Sequence, residues 1–376
     1  PSSFTNSRVV IMAENPWRPS AGDNESSLYI AQLANNELTY EKKHELNFGI
    51  DAGFLNNRIN FTFDIYSRRN YDLIGVINTQ GTGGEPRKYG NVAKMKSNGV
   101  EIALNTVNIK TKDFTWTTDL IYSHMHNEVT ELNTLNRMYD YISGSGFTMP
   151  GYPQRSLFSI PFMGLNNEGL PTFLDQDGNV SVTGINMQEY DPERLKFLKY
   201  EGPVDPTDVG SLGNVFRYKG VTLNLFITYS FGNVVRLDPV FSSSYSDLTA
   251  TPKEFKDRWV KPGDENFTNV PVIASKQQLN NIAFLSRAYQ AYNYSTERVA
   301  KGDFIRMKEI SLGYEFPKSI TQPLRLSNLS LKLMATNLFL IYADKKLNGQ
   351  DPEFFNAGGV ANPMPKQFTL TLKLGI

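Results

Sequence analysis

The last nine residues of the chain alternate apolar and polar side chains without a break. A strand that separates two different solvents in this way is typical of an antiparallel barrel in an outer membrane, with lipid on one face and an aqueous lumen on the other. The edge strand of a soluble β-sandwich shows the same period but is usually about five or six residues long. The apolar set, predicted to face lipid, is Phe368, Leu370, Leu372, Leu374 and Ile376, opposed by Thr369, Thr371 and Lys373.

The same alternation recurs along the chain and predicts three hairpins. Their turns lie at residues 55–57, 111–113 and 219–220, each flanked by two alternating runs. Further alternating runs at 310–316 and 329–335 precede the terminal strand. The pattern indicates about ten strands, most of them long enough to cross an outer membrane at a tilt.

The connections between the predicted strands alternate in length. Short turns join the hairpins at one end, whereas stretches rich in Gly and Pro at 70–91, 127–154, 164–210 and 236–298 lie at the other. Outer-membrane barrels combine short periplasmic turns with long external loops, and a sandwich has no reason to place every long loop on one side. The predicted fold is therefore an all-β, transmembrane antiparallel β-barrel with long extracellular loops. A short loop helix is predicted only within residues 251–260.

Composition excludes several other classes of protein. The chain of 376 residues has 38 acidic and 38 basic side chains, so no basic excess is available to neutralise nucleic-acid phosphates. It has no cysteine, which removes thiolate chemistry and disulfides. The mean hydropathy is −0.37 and no apolar run is long enough for a membrane-spanning helix. A barrel agrees with this value because only alternate residues of its strands face lipid.

Two segments of the chain carry distinctive motifs, Arg258-Trp259 with Lys261-Pro262-Gly263-Asp264, and residues 302–314. They are similar to "R-W-x-x-P-G-D" and "G-x-F-x-R-L-K-x-I-x-L-G-Y", two motifs of the SusC/RagA branch of TonB-dependent transporters, which the chain therefore resembles. Weaker matches lie, in the order of the family, at residues 36–42, 71–74, 98–101, 216–221, Asn337-Leu338-Phe339 and Asp351-Pro352-Glu353. The chain departs from the family in ending on Ile376 instead of an aromatic residue.

The resemblance implies an architecture and a function. Residues 1–376 are expected to form the C-terminal portion of a barrel of about 22 strands, with the signal peptide, N-terminal extension, TonB box and plug outside this chain. The implied activity is import of oligosaccharides or peptides across the outer membrane of a Gram-negative bacterium. The implied partners are a SusD-like surface lipoprotein, the TonB complex acting through the absent N-terminal region, the remainder of the same barrel, and membrane lipid.

A non-transport outer-membrane β-protein, such as an adhesin or an assembly scaffold, is the alternative function. A polar, aromatic-lined lumen that contains a plug favours transport, whereas a barrel filled by side chains favours a scaffold. No motif for an enzyme or a cofactor is present: no Ser has a G-x-S-x-G setting, and Asp351 and Glu353 flank Pro352 without a visible acid–base partner.

Two groups of residues have the spacing of metal ligands. His124 and His126 lie two apart on a predicted strand and so share a face, but no Cys or third His is nearby, which favours a position at the barrel rim or membrane interface. Asp175, Asp177 and Asn179 present oxygen atoms at alternate positions, as calcium loops do. The closing Glu of such a loop is missing, so a tight Asp-Gly turn is the preferred interpretation.

Aromatic residues crowd two of the long connections. They can contact a partner protein, since interfaces are enriched in Tyr and Phe; they can stack on a ligand; or they can pack the loops themselves. The candidates for partner or ligand contact are Tyr139, Tyr141, Phe147, Tyr152, Tyr289, Tyr292 and Tyr294.

Overall fold

The computed structural model describes residues 10–14, 27–32, 34–82, 87–134, 136–143, 146–245, 251, 253–355 and 365–376. In chain order the strands are β1 (Val10–Glu14), β2 (Ser27–Gln32), β3 (Lys42–Phe54), β4 (Ile59–Asn78), β5 (Arg87–Lys110), β6 (Phe114–Leu132), β7 (Ser156–Ser159), β8 (Phe162–Leu165), β9 (Pro171–Leu174), β10 (Val180–Ser181), β11 (Lys199–Pro203), β12 (Asp208–Tyr218), β13 (Val221–Phe231), β14 (Val234–Arg236), β15 (Val299–Lys301), β16 (Phe304–Glu315), β17 (Asn328–Ala343) and β18 (Gln367–Gly375).

Short helices interrupt the long connections. The α-helices are α1 (Met138–Ile142), α2 (Lys276–Asn281), α3 (Leu285–Asn293) and α4 (Lys318–Thr321). The 3-10 turns are Arg194–Phe197, Lys253–Asp257, Asp264–Asn266, Thr296–Arg298, Lys345–Leu347 and Pro352–Phe354. The helix predicted within 251–260 is thus a 3-10 turn, and none of the four α-helices was foreseen. None of the helices in the described residues combines the length and the apolar character that crossing a membrane requires.

Nine strands form one antiparallel sheet, called the main sheet here. Its spatial order is β3, β4, β5, β6, β12, β13, β16, β17, β18, so every strand pairs with its neighbours along the chain in that set. This order is that of a barrel wall, and it confirms the predicted fold, with nine wall strands among the described residues instead of about ten. Smaller sheets, β1–β2, β7–β11, β8–β9–β10 and β14–β15, lie outside the wall.

The predicted tight turns are all present at one end of the main sheet. Lys219 and Gly220 have φ of 45° and 88°, as a type I′ turn between β12 and β13 requires. Leu55, Asn56 and Asn57 have φ between 52° and 61°, a left-handed conformation that Asn tolerates better than most residues. Residues 111–113 join β5 to β6, and the longer segment 316–327, with α4, joins β16 to β17 at the same end.

The long connections lie at the opposite end, as predicted, but their bounds differ. They span 79–86, 133–207, 232–303 and 344–366. Most of the predicted loop 70–91 is strand, because backbone pairing continues beyond the region where side chains alternate. The predicted stretches 127–154 and 164–210 belong to one connection, and the connection 344–366 was not foreseen.

The cross-strand register gives the main sheet one apolar and one polar face. Leu370 pairs with Leu333, Leu333 with Leu312, and Leu312 with Leu223, forming a continuous apolar row across four strands. The adjacent row pairs Thr371 with Lys332. We call the face with the leucine row the outer face and the opposite one the inner face. Lys373 pairs with Ser330 and lies on the inner face. Contact of the outer face with lipid stays a prediction.

A charge placed on the outer face at mid-depth should destabilise the barrel. Leu370 is five residues from Gly375, or about 13 Å above the short-turn end for strands tilted by about 40°, and it is 68% exposed. Leu370→Arg in the full-length protein should cost roughly 2–4 kcal/mol, seen as a reduced folded fraction on unboiled gels after refolding into lipid. Thr371→Arg, on the inner face, is the matched control. Equal losses for the two variants would contradict the assignment of faces.

Candidate partner and ligand surface

The two longest connections, 133–207 and 232–303, pack against each other into a shared apolar cluster, called the loop core here. Backbone hydrogen bonds hold them together: Ile160 N–H donates to the Tyr294 carbonyl (3.0 Å), and Thr296 N–H donates to the Ile160 carbonyl (3.0 Å). The buried members are Met138, Ile142, Ile160, Leu170, Phe173, Ile185, Met187, Leu195, Phe241, Phe255, Ala274, Leu285, Ala288, Tyr289, Ala291 and Tyr292. These two connections are therefore a folded unit of their own.

Helix α3 supplies two of the predicted contact residues to the interior of the loop core. Leu285, Tyr289 and Tyr292 follow the helical spacing and bury one face of α3. Tyr289 is 2% exposed and Tyr292 is 1% exposed, and the Tyr289 hydroxyl donates to the Val272 carbonyl (2.5 Å). Desolvation raises the pKa of both phenols well above the usual range, so both remain neutral at physiological pH. In this conformation neither ring offers a surface to a partner or ligand.

The other predicted aromatic residues are half-buried around the loop core. Tyr139 and Tyr294 meet edge to face with ring centroids 5.8 Å apart, and desolvation, helped by the hydrogen bond between their hydroxyls, raises the pKa of Tyr294 to about 12. Tyr141 contacts Phe147 at 4.8 Å between centroids, and Tyr152 contacts Phe158 at 5.1 Å. These ring contacts are of the kind expected if the aromatic residues pack the loops themselves. A role for the half-buried rings in partner or ligand contact stays a prediction.

The segment that resembles "R-W-x-x-P-G-D" forms a rigid turn on the loop core. Trp259 is buried, and its indole N–H donates to the Glu265 carboxylate (2.9 Å). Its ring lies over Gly169, whose φ is +75° and whose place a Cβ could not take, since that atom would lie 2.4 Å from the ring. The Asp264 carboxylate accepts the backbone N–H groups of Val260 (3.1 Å) and Lys261 (3.0 Å).

Apolar side chains that the sequence analysis missed are exposed at this end. Phe267 is 90% exposed beside the Trp259 turn, and Val260 in the same turn is also exposed. Phe284, at the start of α3, is exposed with a left-handed φ of 61°, and the guanidinium of Arg287 lies 4.1 Å from its ring. The signal was present, since these apolar residues flank Gly- and Asn-rich turns, where polar residues are usual.

The half-buried Arg236 and the buried Arg298 and Arg306 join the connections to each other and to the main sheet. Arg236 donates to the Phe158 carbonyl and to Ser159 Oγ (3.2 Å), and desolvation, partly offset by Glu201, lowers its pKa to about 10. Arg298 pairs with Glu254. Arg306, on β16, pairs with Asp351 and with Glu353 (2.7 Å) of the connection 344–366. The Asp-Pro-Glu motif is therefore an anchor on the barrel wall.

The calcium candidate forms a turn between β9 and β10. Asp175 Oδ1 accepts the backbone N–H groups of Asp177 (3.0 Å) and Asn179 (2.8 Å), and Asp177 pairs with Arg194 (2.8 Å). The carboxylates thus satisfy backbone donors and a cation, as in a tight Asp-Gly turn. Across the part of the chain that the structure describes, no three His, Cys, Asp or Glu side chains gather as metal ligands do.

The inner face of the main sheet carries side chains that hydrogen-bond across neighbouring strands. Thr62 Oγ1 donates to Asp51 (2.7 Å), and Asn105 donates to Asp119. Tyr66 lies against Gly99 on this face, with the Arg68 guanidinium 4.0 Å from its ring centre. Tyr66 is only 6% exposed, so the exposed carboxylates of Asp51 and Asp119 are the groups named here that can accept hydrogen bonds from a bound molecule.

Comparisons with known proteins agree with this architecture. The sequence model of the family described as "TonB dependent receptor-like, beta-barrel" matches residues 15–242. The chain is 26% identical to TonB-dependent receptor P39 of Formosa agariphila, over 88% of this chain and 34% of the relative. It is also 26% identical to TonB-dependent receptor SusC of Bacteroides thetaiotaomicron, over 94% of this chain and 34% of the relative. The chain spans about a third of the length of these relatives.

A solved structure shares the fold over almost the whole chain. The match is to the structure of the RagAB peptide transporter, with a TM-score of 0.72 and 23% identity over 98% of this chain and 38% of that chain. The RagAB peptide importer in the "open-open" state gives the same TM-score, 0.72, with 22% identity. Identities this low show the fold alone.

Proposed function

The chain belongs to the TonB-dependent receptor-like β-barrel family and is an outer-membrane protein of the SusC/RagA type, and from this premise we propose that it is the C-terminal part of a transporter that imports oligosaccharides or peptides. The observation that carries the proposal is a meander of nine strands with an apolar outer face, a polar inner face and all its longest connections at one end. Such a wall separates lipid from an aqueous path.

In the proposed mechanism this chain binds and encloses cargo, and the energy is supplied elsewhere. The polar inner face, with the exposed carboxylates of Asp51 and Asp119, contacts a hydrated cargo inside the lumen. The folded connections hold a rigid external surface on which a SusD-like lipoprotein closes as a lid. The TonB complex acts on the N-terminal region and its plug, outside residues 1–376. The peptide cargo named for the RagAB relative supports peptides as one of the two cargo classes.

The lid is proposed to dock on the exposed apolar residues Phe267 and Phe284. Large aromatic side chains at the centre of an interface contribute most of its binding energy, about 2 kcal/mol or more each, so the double variant Phe267→Glu/Phe284→Glu of the full-length protein should reduce co-purification of the lipoprotein at least tenfold. Leu324→Glu, an exposed apolar residue at the short-turn end, is the matched control. Unchanged co-purification of the lipoprotein with the double variant would exclude docking at these residues.

A measurement of cargo uptake distinguishes a transporter from an adhesin or a scaffold. Cells that express the full-length protein should accumulate a fluorescent oligosaccharide or peptide in the periplasm, and deletion of the gene for the full-length protein or of tonB should abolish accumulation. Surface binding that persists without any tonB-dependent accumulation, over a panel of both cargo classes, would support the adhesin and overturn the transporter.

A further inference from the structure

A groove lies on the outer face across β3, β4, β5 and β6, away from the lumen and the loop core. It encloses about 370 Å³, within the range of about 300–1,000 Å³ typical of small-molecule sites. Its apolar part, called the floor, consists of Leu46, Phe48, Ile65 and Val100. Its polar part, called the rim, consists of Ser67, Asn98, His124 and His126.

The register places both parts on the face that contacts lipid. Ile65 pairs with Phe48 and Val100, and Ser67 pairs with Leu46 and Asn98. Along each strand the floor and rim residues lie two apart, so they share one face, and the residues between them lie on the inner face. The rim contains His124 and His126, the histidine pair noted in the sequence. His124 Nδ1 lies 2.8 Å from Asp208 Oδ1. The site is a notch in the outer wall.

The depth of the groove coincides with a membrane boundary. His124 is ten residues above Phe114, the first residue of β6, which corresponds to about 26 Å for a strand tilted by about 40°. The apolar band of an outer-membrane barrel is about 25 Å tall. Val100 pairs with His124 at this depth. Phe48 and Ile65 lie closer to the short-turn end, and Asn98 and His126 lie closer to the long connections. The groove therefore reaches from the acyl chains to the headgroups of the outer leaflet.

Basic side chains occupy the next register row above the rim. His44, Arg69 and Lys96 pair across β3, β4 and β5 and share the outer face with the groove. Lys96 is neutralised by Glu128 at 2.9 Å. Arg69 is exposed, and no carboxylate lies within 4.0 Å of its guanidinium in the segments that the structure describes. An unpaired guanidinium at headgroup depth attracts an anion, and phosphate matches its planar fork.

We propose that this groove binds one anionic lipid of the outer leaflet, with an acyl chain on the floor and a phosphate-bearing headgroup at the rim and Arg69. The occupant is a lipid because the apolar floor is continuous with the lipid-facing surface, and it is anionic because the unpaired charge above the floor is positive. Ser67, Asn98 and His126 supply the hydrogen bonds that the phosphate oxygens accept.

The test is lipid binding by the full-length protein in detergent, measured by native mass spectrometry with monophosphorylated lipid A as the probe. The wild type should retain one lipid through purification and exchange it for the added probe. Arg69→Glu should weaken binding at least tenfold. Val100→Trp, which fills the floor without changing charge, should do the same. Arg217→Glu, an exposed arginine on the inner face near the short-turn end, should leave binding unchanged.

Other results would overturn the proposal. Equal binding of lipid A stripped of its phosphate would remove the role of the anion. Equal affinity for inorganic phosphate alone would assign a free-anion site instead of a lipid site. Absence of any bound lipid in the wild type, or equal loss in Arg217→Glu, would show that the groove has no specific occupant.

Discussion

Residues 1–376 expressed on their own should be recovered as aggregate and not as a folded barrel. Within the described residues, β3 pairs only with β4, and β18 pairs only with β17, so each leaves one edge of the main sheet without a partner strand. In hydrocarbon, an unpaired backbone N–H or C=O costs several kcal/mol, and both edge strands lie where lipid would surround them. A wall of nine strands also falls well short of the roughly 22 strands that enclose the lumen of large transporters.

Co-expression with the rest of the full-length protein tests the same point in the other direction. Strands supplied in trans should pair with β3 and β18 and give a heat-modifiable barrel in the membrane fraction. Leu370→Arg in this chain should then reduce the yield, as in the intact protein. A stable, closed barrel formed by residues 1–376 alone would contradict the expectation, and with it the proposed transporter size and mechanism.

The barrel wall was predictable because its pattern is local. Alternation with a period of two follows directly from one apolar and one polar face, and the turn at Lys219 and Gly220 is encoded by two adjacent residues. The terminal strand β18 and the three hairpins therefore lie where the sequence places them. The strand content of residues 70–91 was missed because the ends of β4 and β5 extend beyond the apolar band, where backbone pairing continues without an alternating pattern.

The loop core was not predictable in the same way because its contacts join distant parts of the chain. Ile160 meets Tyr294 through a backbone hydrogen bond across 134 residues of sequence. The spacing of Leu285, Tyr289 and Tyr292 does indicate an amphipathic helix, and tyrosines on its apolar side are more often buried than free for contact. The sequence does not show that the connection 133–207 packs over α3 and buries these tyrosines.

Replacing Arg306 by methionine should release the connection 344–366 from the barrel wall. Arg306 is 5% exposed and lies between Asp351 and Glu353, and its contact with Glu353 is an ion pair without an aligned hydrogen bond. Methionine preserves most of the side-chain volume but leaves two carboxylates without their cation. Breaking a buried ion pair in this way costs about 3–5 kcal/mol, because an uncompensated charge remains.

Hydrogen–deuterium exchange of the full-length protein measures this release directly. Backbone amides of residues 345–355 should exchange at least about 100-fold faster in Arg306→Met, since each 1.4 kcal/mol corresponds to a factor of about ten. Lys332→Met is the matched control: Lys332 meets Glu309 at 3.8 Å and is half exposed, so its pair is worth only about 0–1 kcal/mol. Adding Asp351→Asn and Glu353→Gln to Arg306→Met should restore part of the protection, because the stranded charges are then removed. If exchange in this segment is unchanged by Arg306→Met, the Asp-Pro-Glu motif is held by its own 3-10 turn and the ion pairs are incidental to the anchoring of the connection.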